Sequence, residues 1–458
     1  MSRLVVVSNR LPLGDNPSGG LVVALKDALA NGGVWIGNEG VSEGEPSAEL
    51  RSHPGAPFER LSFDVTEAEH EGYYLGYANS VLWPLCHRRV DLVDMRPNYL
   101  SAYRRVNRRI ARLVARAVKP GDRIWVQDYH HLPLAHELRA LGVSNPIGLF
   151  LHIPFPGPMA FQALPNAEEV ARWIAAFDLF GLQGKRDVSA CLEALRTIPG
   201  AEVRPDGRVT IEGSEVRVAA FPIGIDVDDF VAQAERGGPR DDSLPAQIIG
   251  VDRLDYSKGI PQRFRAYADL LDRRPDLAGR VELLQIAPPT REEVQAYRDI
   301  REELEQLTGQ IIGQHAELDW TPIRYIHRPV PRERLAVLFR HARVGLVTPL
   351  ADGMNLVAKE FVAAQDPADP GVLILSKFAG AAEQMGEHAL ITNPHDVEEM
   401  AQQIVTALWM SQGERRERHA ALMAGLREQD IHWWRRSFLT ALDVAAGRGG
   451  PKLVSGAA

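Results

Sequence analysis

Short apolar runs alternate with longer stretches in which apolar positions recur every three or four residues, from one end of the chain to the other. The runs at 4–8, 123–127, 147–151, 177–182, 247–251, 281–286, 344–348 and 372–375 are bounded by polar or Gly/Pro-containing segments, which predicts strands buried on both faces. Between them the periodic stretches 101–117, 132–141, 261–273 and 291–307 predict helices. Strands alternating with helices in this way predict parallel sheets covered on both faces, the α/β class. No internal repeat interrupts the series.

The pattern breaks once. AlaAlaPheProIleGlyIleAsp (219–226) places a Pro and a Gly in an apolar run, and a polar segment follows to about 245 before a new αβ series opens at 247–252. The chain is therefore expected to form two doubly wound, Rossmann-like domains, 1–225 and 226–430. The stretch 431–446, which contains HisTrpTrpArgArgSerPheLeuThrAlaLeu (432–442), is expected to pack back on the first domain as a helix, its tryptophans in the core. The Gly-rich tail 447–458 is expected to be disordered. In open α/β sheets ligands sit beyond the carboxyl ends of the strands, so both domains are expected to turn their loops toward an interdomain cleft.

Composition narrows the class. At 458 residues, 45% hydrophobic and 24% charged, the chain is long enough for two cores. A net charge of −8 argues against a nucleic-acid partner, and the basic run 104–112 reads as a solvated helix face. Cys86 and Cys191 are the only cysteines, far apart and in no metal-ligand spacing, which fits a reducing compartment. The chain enters its first strand at 4–8 with no signal-like segment, and no apolar run approaches the roughly 18–20 residues a bilayer requires. A cytoplasmic protein with no membrane partner is expected.

The strand ends carry unusual polar content. AlaAspGlyMetAsnLeuValAlaLysGlu (351–360) follows an apolar strand and runs into a helix, so free backbone N–H groups and the positive end of a helix dipole form an anion site suited to a diphosphate. Glu360 stands where a carboxylate accepts hydrogen bonds from a ribose diol. AspArgLeuAspTyrSerLysGly (252–259) sets Arg253 and Lys258 after the first strand of the second half, cations suited to a diphosphate whose charge rises as it leaves. Arg291 ends another strand. In the first half, Asp128 and His152 end neighbouring strands, and SerGlyGlyLeu (18–21) brings Gly19 and Gly20 to a helix start after the strand that ends at Arg10. Each motif alone also fits an ordinary capped turn or a surface ion pair.

Jointly they do not. ValValSerAsnArg, SerValLeuTrpPro, AspTyrHis, HisIleProPhePro, ArgLeuAspTyrSerLysGly and AspGlyMetAsnLeuValAlaLysGlu occur in one order, and over residues 1 to about 445 the chain resembles the retaining glycosyltransferases of family 20, which make trehalose 6-phosphate. The resemblance implies a GT-B fold, a nucleotide-glucose donor, usually UDP-glucose, and glucose 6-phosphate as acceptor. It assigns Gly19, Gly20, Arg253, Lys258, Asp352, Leu356, Val357, Ala358, Lys359 and Glu360 to the donor. It assigns Arg10, Tyr74, Trp83, Asp128 and Arg291 to the acceptor, and Asp128, His152, Arg253, Lys258 and Asp352 to catalysis. No metal or other cofactor is implied, because the cations take a metal's place. A homo-oligomer is expected.

Two departures stand out. Where the family commonly reads GlyTrpSerGly, this chain has TrpIleGlyAsnGluGly (35–40), so Asn38 replaces an aromatic platform against the acceptor ring. The 11–18 loop is also short. Asn38 leaves open a different phosphorylated acceptor, glycerol 3-phosphate or a pseudo-sugar phosphate. A non-catalytic regulatory homologue is the remaining alternative, against which the charged donor residues Arg253, Lys258, Asp352 and Glu360 all count. The nucleotide base is open between uracil and guanine.

Overall fold

The structure is a computed structural model that describes residues 3–13, 20–29, 32–55, 57–241 and 243–447. Gly19, most of the 11–18 loop and the tail beyond Gly447 lie outside the described residues. The chain divides into two compact units, one of residues up to Pro222 together with those from Trp433, the other Ile223–His432. The first break falls three residues before the point where the sequence pattern puts it.

Among the described residues, the first unit holds ten strands in one sheet: β1 (Leu4–Arg10), β2 (Val34–Ser42), β3 (Arg51–His53), β4 (Glu59–Thr66), β5 (Arg123–Gln127), β6 (Ile147–Phe150), β7 (Leu179–Leu182), β8 (Glu202–Val203), β9 (Arg208–Ile211) and β10 (Ser214–Ala220). Their order is β3-β4-β2-β1-β5-β6-β7-β10-β9-β8. The centre is parallel throughout, and antiparallel pairing is confined to the edges, at β3–β4 and β8–β9–β10. The alternation of apolar runs and helices reads only the parallel centre, because the edge strands are short and half polar. Strand order reverses at β1, with β2 on one side and β5 on the other, so the ends of β1 and β5 are where a ligand pocket is expected.

Among the described residues, the sheet of the second unit is parallel throughout: β11 (Ala246–Val251), β12 (Val281–Ile286), β13 (Ile323–Ile326), β14 (Val344–Val347), β15 (Val372–Ser376) and β16 (Leu390–Thr392), in the order β13-β12-β11-β14-β15-β16. This is the doubly wound dinucleotide-fold order, and its reversal lies between β11 and β14. The helix expected at 291–307 runs instead from Gln295 to His315, after an irregular segment that includes Arg291 at φ 50°.

Two elements escape the periodicity. His70–Leu82 forms a π-helix, in which Asn79 Nδ2 and Ser80 Oγ donate back five residues to the carbonyls of Tyr74 and Leu75, at 2.8 and 2.7 Å. So long a π segment is rare, and such turns collect at functional sites. The basic face of the helix Pro97–Ala117 is less solvated than its sequence implies. Arg104 pairs with Glu169, Arg108 with Glu137, and the half-buried Arg109 with Glu69.

The last helix, Ile431–Ala445, packs within the first unit. Trp434 and Phe438 are fully buried, with Trp434 4.8 Å from the Trp125 ring and 5.0 Å from Phe150, and Phe438 stacked on Trp125 at 4.7 Å. Gly181 on β7 leaves the room, since a Cβ there would lie 2.6 Å from the Phe438 ring. Trp434→Ala is therefore expected to cost the first unit about 3–5 kcal/mol in urea unfolding. A loss under about 1 kcal/mol would mean that the helix is not part of this core.

Candidate active site

In the second unit the loops that follow β11 and β14 meet at the switch point. Asp255 Oδ1 accepts the Ser257 N–H at 2.9 Å and sets a single 3₁₀ turn, Tyr256–Lys258. Gly259 then turns the chain into the helix Ile260–Arg273 at φ 65°, and a Cβ there would meet the Thr348 carbonyl at 2.1 Å, so only glycine fits. The Leu350 N–H donates to Ser257 O at 2.7 Å and joins the two loops through their backbones.

Lys258, 9% exposed, donates from Nζ to Asp352 Oδ2 at 2.5 Å. The same oxygen accepts from Asn355 Nδ2 at 3.1 Å. Asn355, held at φ 78°, caps the helix Leu356–Ala364 by accepting the Ala358 N–H. Leu356 and Val357 keep N–H groups with no intrahelical acceptor, at the positive end of the dipole. An ammonium has three protons, so Lys258 can hold Asp352 and still donate to an anion at this helix start. Arg253 is exposed on the same loop.

Glu360 and Lys359, adjacent in the helix, face different surroundings. The Glu360 side chain is 14% exposed, with the Arg332 guanidinium 3.8 Å away, and burial raises its carboxyl to about 7. The Lys359 side chain turns to the interior. It is 1% exposed, donates to the Ile223 carbonyl and to Gln384 Oε1 at 2.7 Å each, and is lowered by burial to about 7. Arg291 also sits differently from a cation simply projecting off a strand end. Its side chain is 6% exposed, and Nη1 donates to the Tyr297 hydroxyl at 2.6 Å, which in turn donates to Asp255. It braces the 252–259 loop.

In the first unit, Arg10 is the exposed last residue of β1, and its register partner on β2 is Asn38. Asn38 Oδ1 accepts the Gly40 N–H at 3.0 Å. Glu39 turns to the sheet edge, where Arg51, His53 and Ser62 hold its carboxylate. Asp128 ends β5 at φ 70°, a strained conformation for a residue with a side chain, and its Oδ1 accepts the His152 N–H at 3.2 Å. His152 Nε2 bonds Gln127 Oε1 at 3.0 Å, which leaves Nδ1 as an acceptor, and burial lowers the imidazole to about 3. Such a histidine is neutral near pH 7 and suits a hydroxyl donor. Tyr74, half-buried, lies between the rings of His70 and His130, stacked at 5.1 and 5.7 Å. Trp83 is 4% exposed and stacks on His87 at 4.0 Å.

Sequence reading missed the residues beneath these. Arg263, 0% exposed, bonds Asp252, Gln285 and Thr348, one at the end of each of three strands. Gln127 fixes His152, and Asn355 caps the anion-site helix. Only Asn355 carried a signal, a cap residue before an apolar helix start. Cys86 and Cys191 are both free and buried. Among the described residues, no cluster of His, Cys, Asp and Glu is arranged to hold a metal ion, and no helix is long and apolar enough to cross a membrane.

The arrangement has close parallels. The model of the family described as Glycosyltransferase family 20 matches residues 8–444. A trehalose-6-phosphate synthase of Klebsiella pneumoniae is 43% identical over 461 residues, covering 98% of this chain and 96% of that protein. The structure of a UDP-forming α,α-trehalose-phosphate synthase from Burkholderia xenovorans in complex with glucose 6-phosphate superposes with a TM-score of 0.91, at 42% identity over 96% of this chain and 100% of that one. The E. coli protein bound with UDP-2-fluoro glucose superposes with a TM-score of 0.92, at 43% identity over 96% and 99%. The fold is GT-B.

The buried Glu360 generates a pH test. Its folded pKa of about 7 lies above the ordinary value of 4.5, so the folded state keeps a proton that the unfolded state has released. Stability contributed by this group is full below pH 4.5, falls between 4.5 and 7, and stays low above 7. Glu360→Gln is expected to match the wild type near pH 4.5 and to exceed it by about 1–3 kcal/mol at pH 8 in ligand-free unfolding. A pH-independent difference would contradict the burial assigned to this carboxylate.

Proposed function

The chain belongs to glycosyltransferase family 20, and we infer that it transfers glucose with retention from UDP-glucose to glucose 6-phosphate, giving α,α-trehalose 6-phosphate and UDP. The observation that carries this reading is the Lys258–Asp352 pair at the switch point, set against the Asn355-capped start of the helix Leu356–Ala364. A cation and free backbone N–H groups together fit a diphosphate. The relatives with UDP-2-fluoro glucose and with glucose 6-phosphate support both substrates.

The roles divide by chemistry. Arg253, Lys258 and the Leu356 and Val357 N–H groups take the donor phosphates, and Glu360 the ribose. Asp128, His152 and Asp352 hold the donor glucose. Arg10, Arg291 and Tyr74 take the acceptor phosphate and sugar, and Trp83 backs them. The bond from the glucosyl anomeric carbon to the diphosphate oxygen breaks through an oxocarbenium-like ion pair. A new bond forms on the same face to the acceptor's anomeric hydroxyl, whose proton passes to the departing phosphate. Stabilising charge on that phosphate is the main catalytic task, and fixed cations perform it without a metal. His152, neutral at working pH, orients a hydroxyl and is not needed as a base.

Pure protein with UDP-glucose and glucose 6-phosphate is expected to yield a disaccharide phosphate whose mass and NMR couplings identify one glycosidic linkage between two α-anomeric carbons. Absence of product while UDP still binds would overturn the acceptor half of the reading. Arg253→Ala and Lys258→Ala are each expected to lower kcat/KM by roughly 10²–10³-fold, the scale of losing one transition-state donor. The Lys258 change also leaves Asp352 facing the diphosphate without its partner. Wild-type kinetics in both variants would remove them from the site.

Asn38 tests the acceptor. Because it lies opposite Arg10, Asn38→Trp is expected to tighten glucose 6-phosphate by about 0.5–1.5 kcal/mol through ring contact, while Arg10→Ala raises its KM and leaves UDP affinity unchanged. Faster wild-type turnover of glycerol 3-phosphate than of glucose 6-phosphate would replace the acceptor.

A further inference from the structure

The ammonium of Lys359 is buried. It donates to the carbonyl of Ile223, the first residue of the second unit, and to Gln384 Oε1. Gln384 Nε2 in turn donates to Gln429 Oε1, three residues before that unit ends at His432. The two chain segments so reached are bound to each other. The Ile431 N–H donates to Ile225 O at 3.2 Å, and Gly224 lies so close to Asp430 that a Cβ would sit 2.3 Å from its carbonyl carbon. Gln384 also lies three residues after Ala381, and the N–H groups of residues 380–381 hold the Asp352 and Met354 carbonyls at 3.1 and 2.8 Å. One side chain thus ties the helix that starts the anion site to both segments where the chain passes from unit to unit, and to the loop carrying Asp352.

We propose that Lys359 is a positioning residue that transmits occupation of the donor-phosphate site to the two crossover segments, 223–225 and 429–431. It does this by holding the helix Leu356–Ala364 to the Ile223 carbonyl and, through Gln384, to Gln429. The inference rests on the donor reading above and goes beyond it, because the Lys359 side chain is buried and bonded to Ile223 and Gln384. A methionine of similar volume would fill the same space without the desolvation of a charge, and would make neither hydrogen bond. What the ammonium adds is direction. Its protons fix two acceptors on different segments, so a small shift of the helix start on binding a diphosphate displaces both.

The test follows hydrogen exchange with UDP as probe, in the wild type, Lys359→Met and Gln384→Leu. In the wild type, UDP is expected to slow exchange both at 354–358 and in peptides covering 223–225 and 429–431. Both variants are expected to keep the first protection and lose the second. Their kcat is expected to fall roughly 10- to 100-fold, the scale of a small misplacement, while KM for UDP-glucose stays within about threefold. UDP-induced protection of the crossovers that persists in both variants overturns the proposal, as does its absence from the wild type. A loss at 354–358 as large as at the crossovers also overturns it, because Lys359 would then act on the donor directly. Wild-type protein that fails to bind UDP at all refutes the donor reading itself, and the inference with it.

Discussion

The second unit depends on one buried guanidinium. Arg263 is fully enclosed and spends its donors on Asp252, Gln285 and Thr348, the residues that finish or follow β11, β12 and β14. A buried charge with one partner removed costs about 3–5 kcal/mol, so the strand ends are held in register by a group that none of them can lose cheaply. Every charged residue of the candidate diphosphate site hangs from these ends. Asp255 turns the first loop, Gly259 presses it against Thr348, and the Leu350–Ser257 hydrogen bond closes the two loops on each other. Lys258 and Asp352 meet because that scaffold leaves their backbones no freedom.

The first unit reaches the same rigidity by other means. Asp128 sits in a backbone conformation that disfavours side chains, and aromatic packing enforces it. Tyr103 donates to Tyr129 O at 2.6 Å, Tyr129 to Asn79 at 2.8 Å, and Asn107 to His130 O at 3.1 Å. The π-helix supplies Asn79 and places Tyr74 against His130. Strain at Asp128 is thus sustained by bonds from two neighbouring elements, the helix Pro97–Ala117 and the π-helix.

Neighbours in sequence take opposite tasks in the helix Leu356–Ala364. Lys359 and Glu360 both lie in a motif that resembles a donor-binding signature, and burial moves both to a pKa of about 7. Only the Glu360 carboxylate keeps some exposure. Successive helical residues differ by about 100° in direction, so a motif written in a line is read by the fold on two faces.

The alternation of apolar runs and helices determined the α/β class and the strand ends that carry Arg10, Asp128, His152, Lys258 and Asp352. Those features follow from local chemistry: a buried strand must be apolar, and a loop at its end must hold whatever polar groups function requires. The tertiary structure alone decided the rest. It drew β3 and β8–β10 into the sheet edges, wound 70–82 as a π-helix, buried Trp83 and Lys359, and turned Arg291 into a brace for Asp255. It also placed Asn38 beside Arg10, 28 residues apart in the chain, through the parallel register of β1 and β2. Sequence spacing carries the type of a residue and its strand or loop. Which partner saturates its hydrogen bonds depends on contacts that close only when distant segments pack.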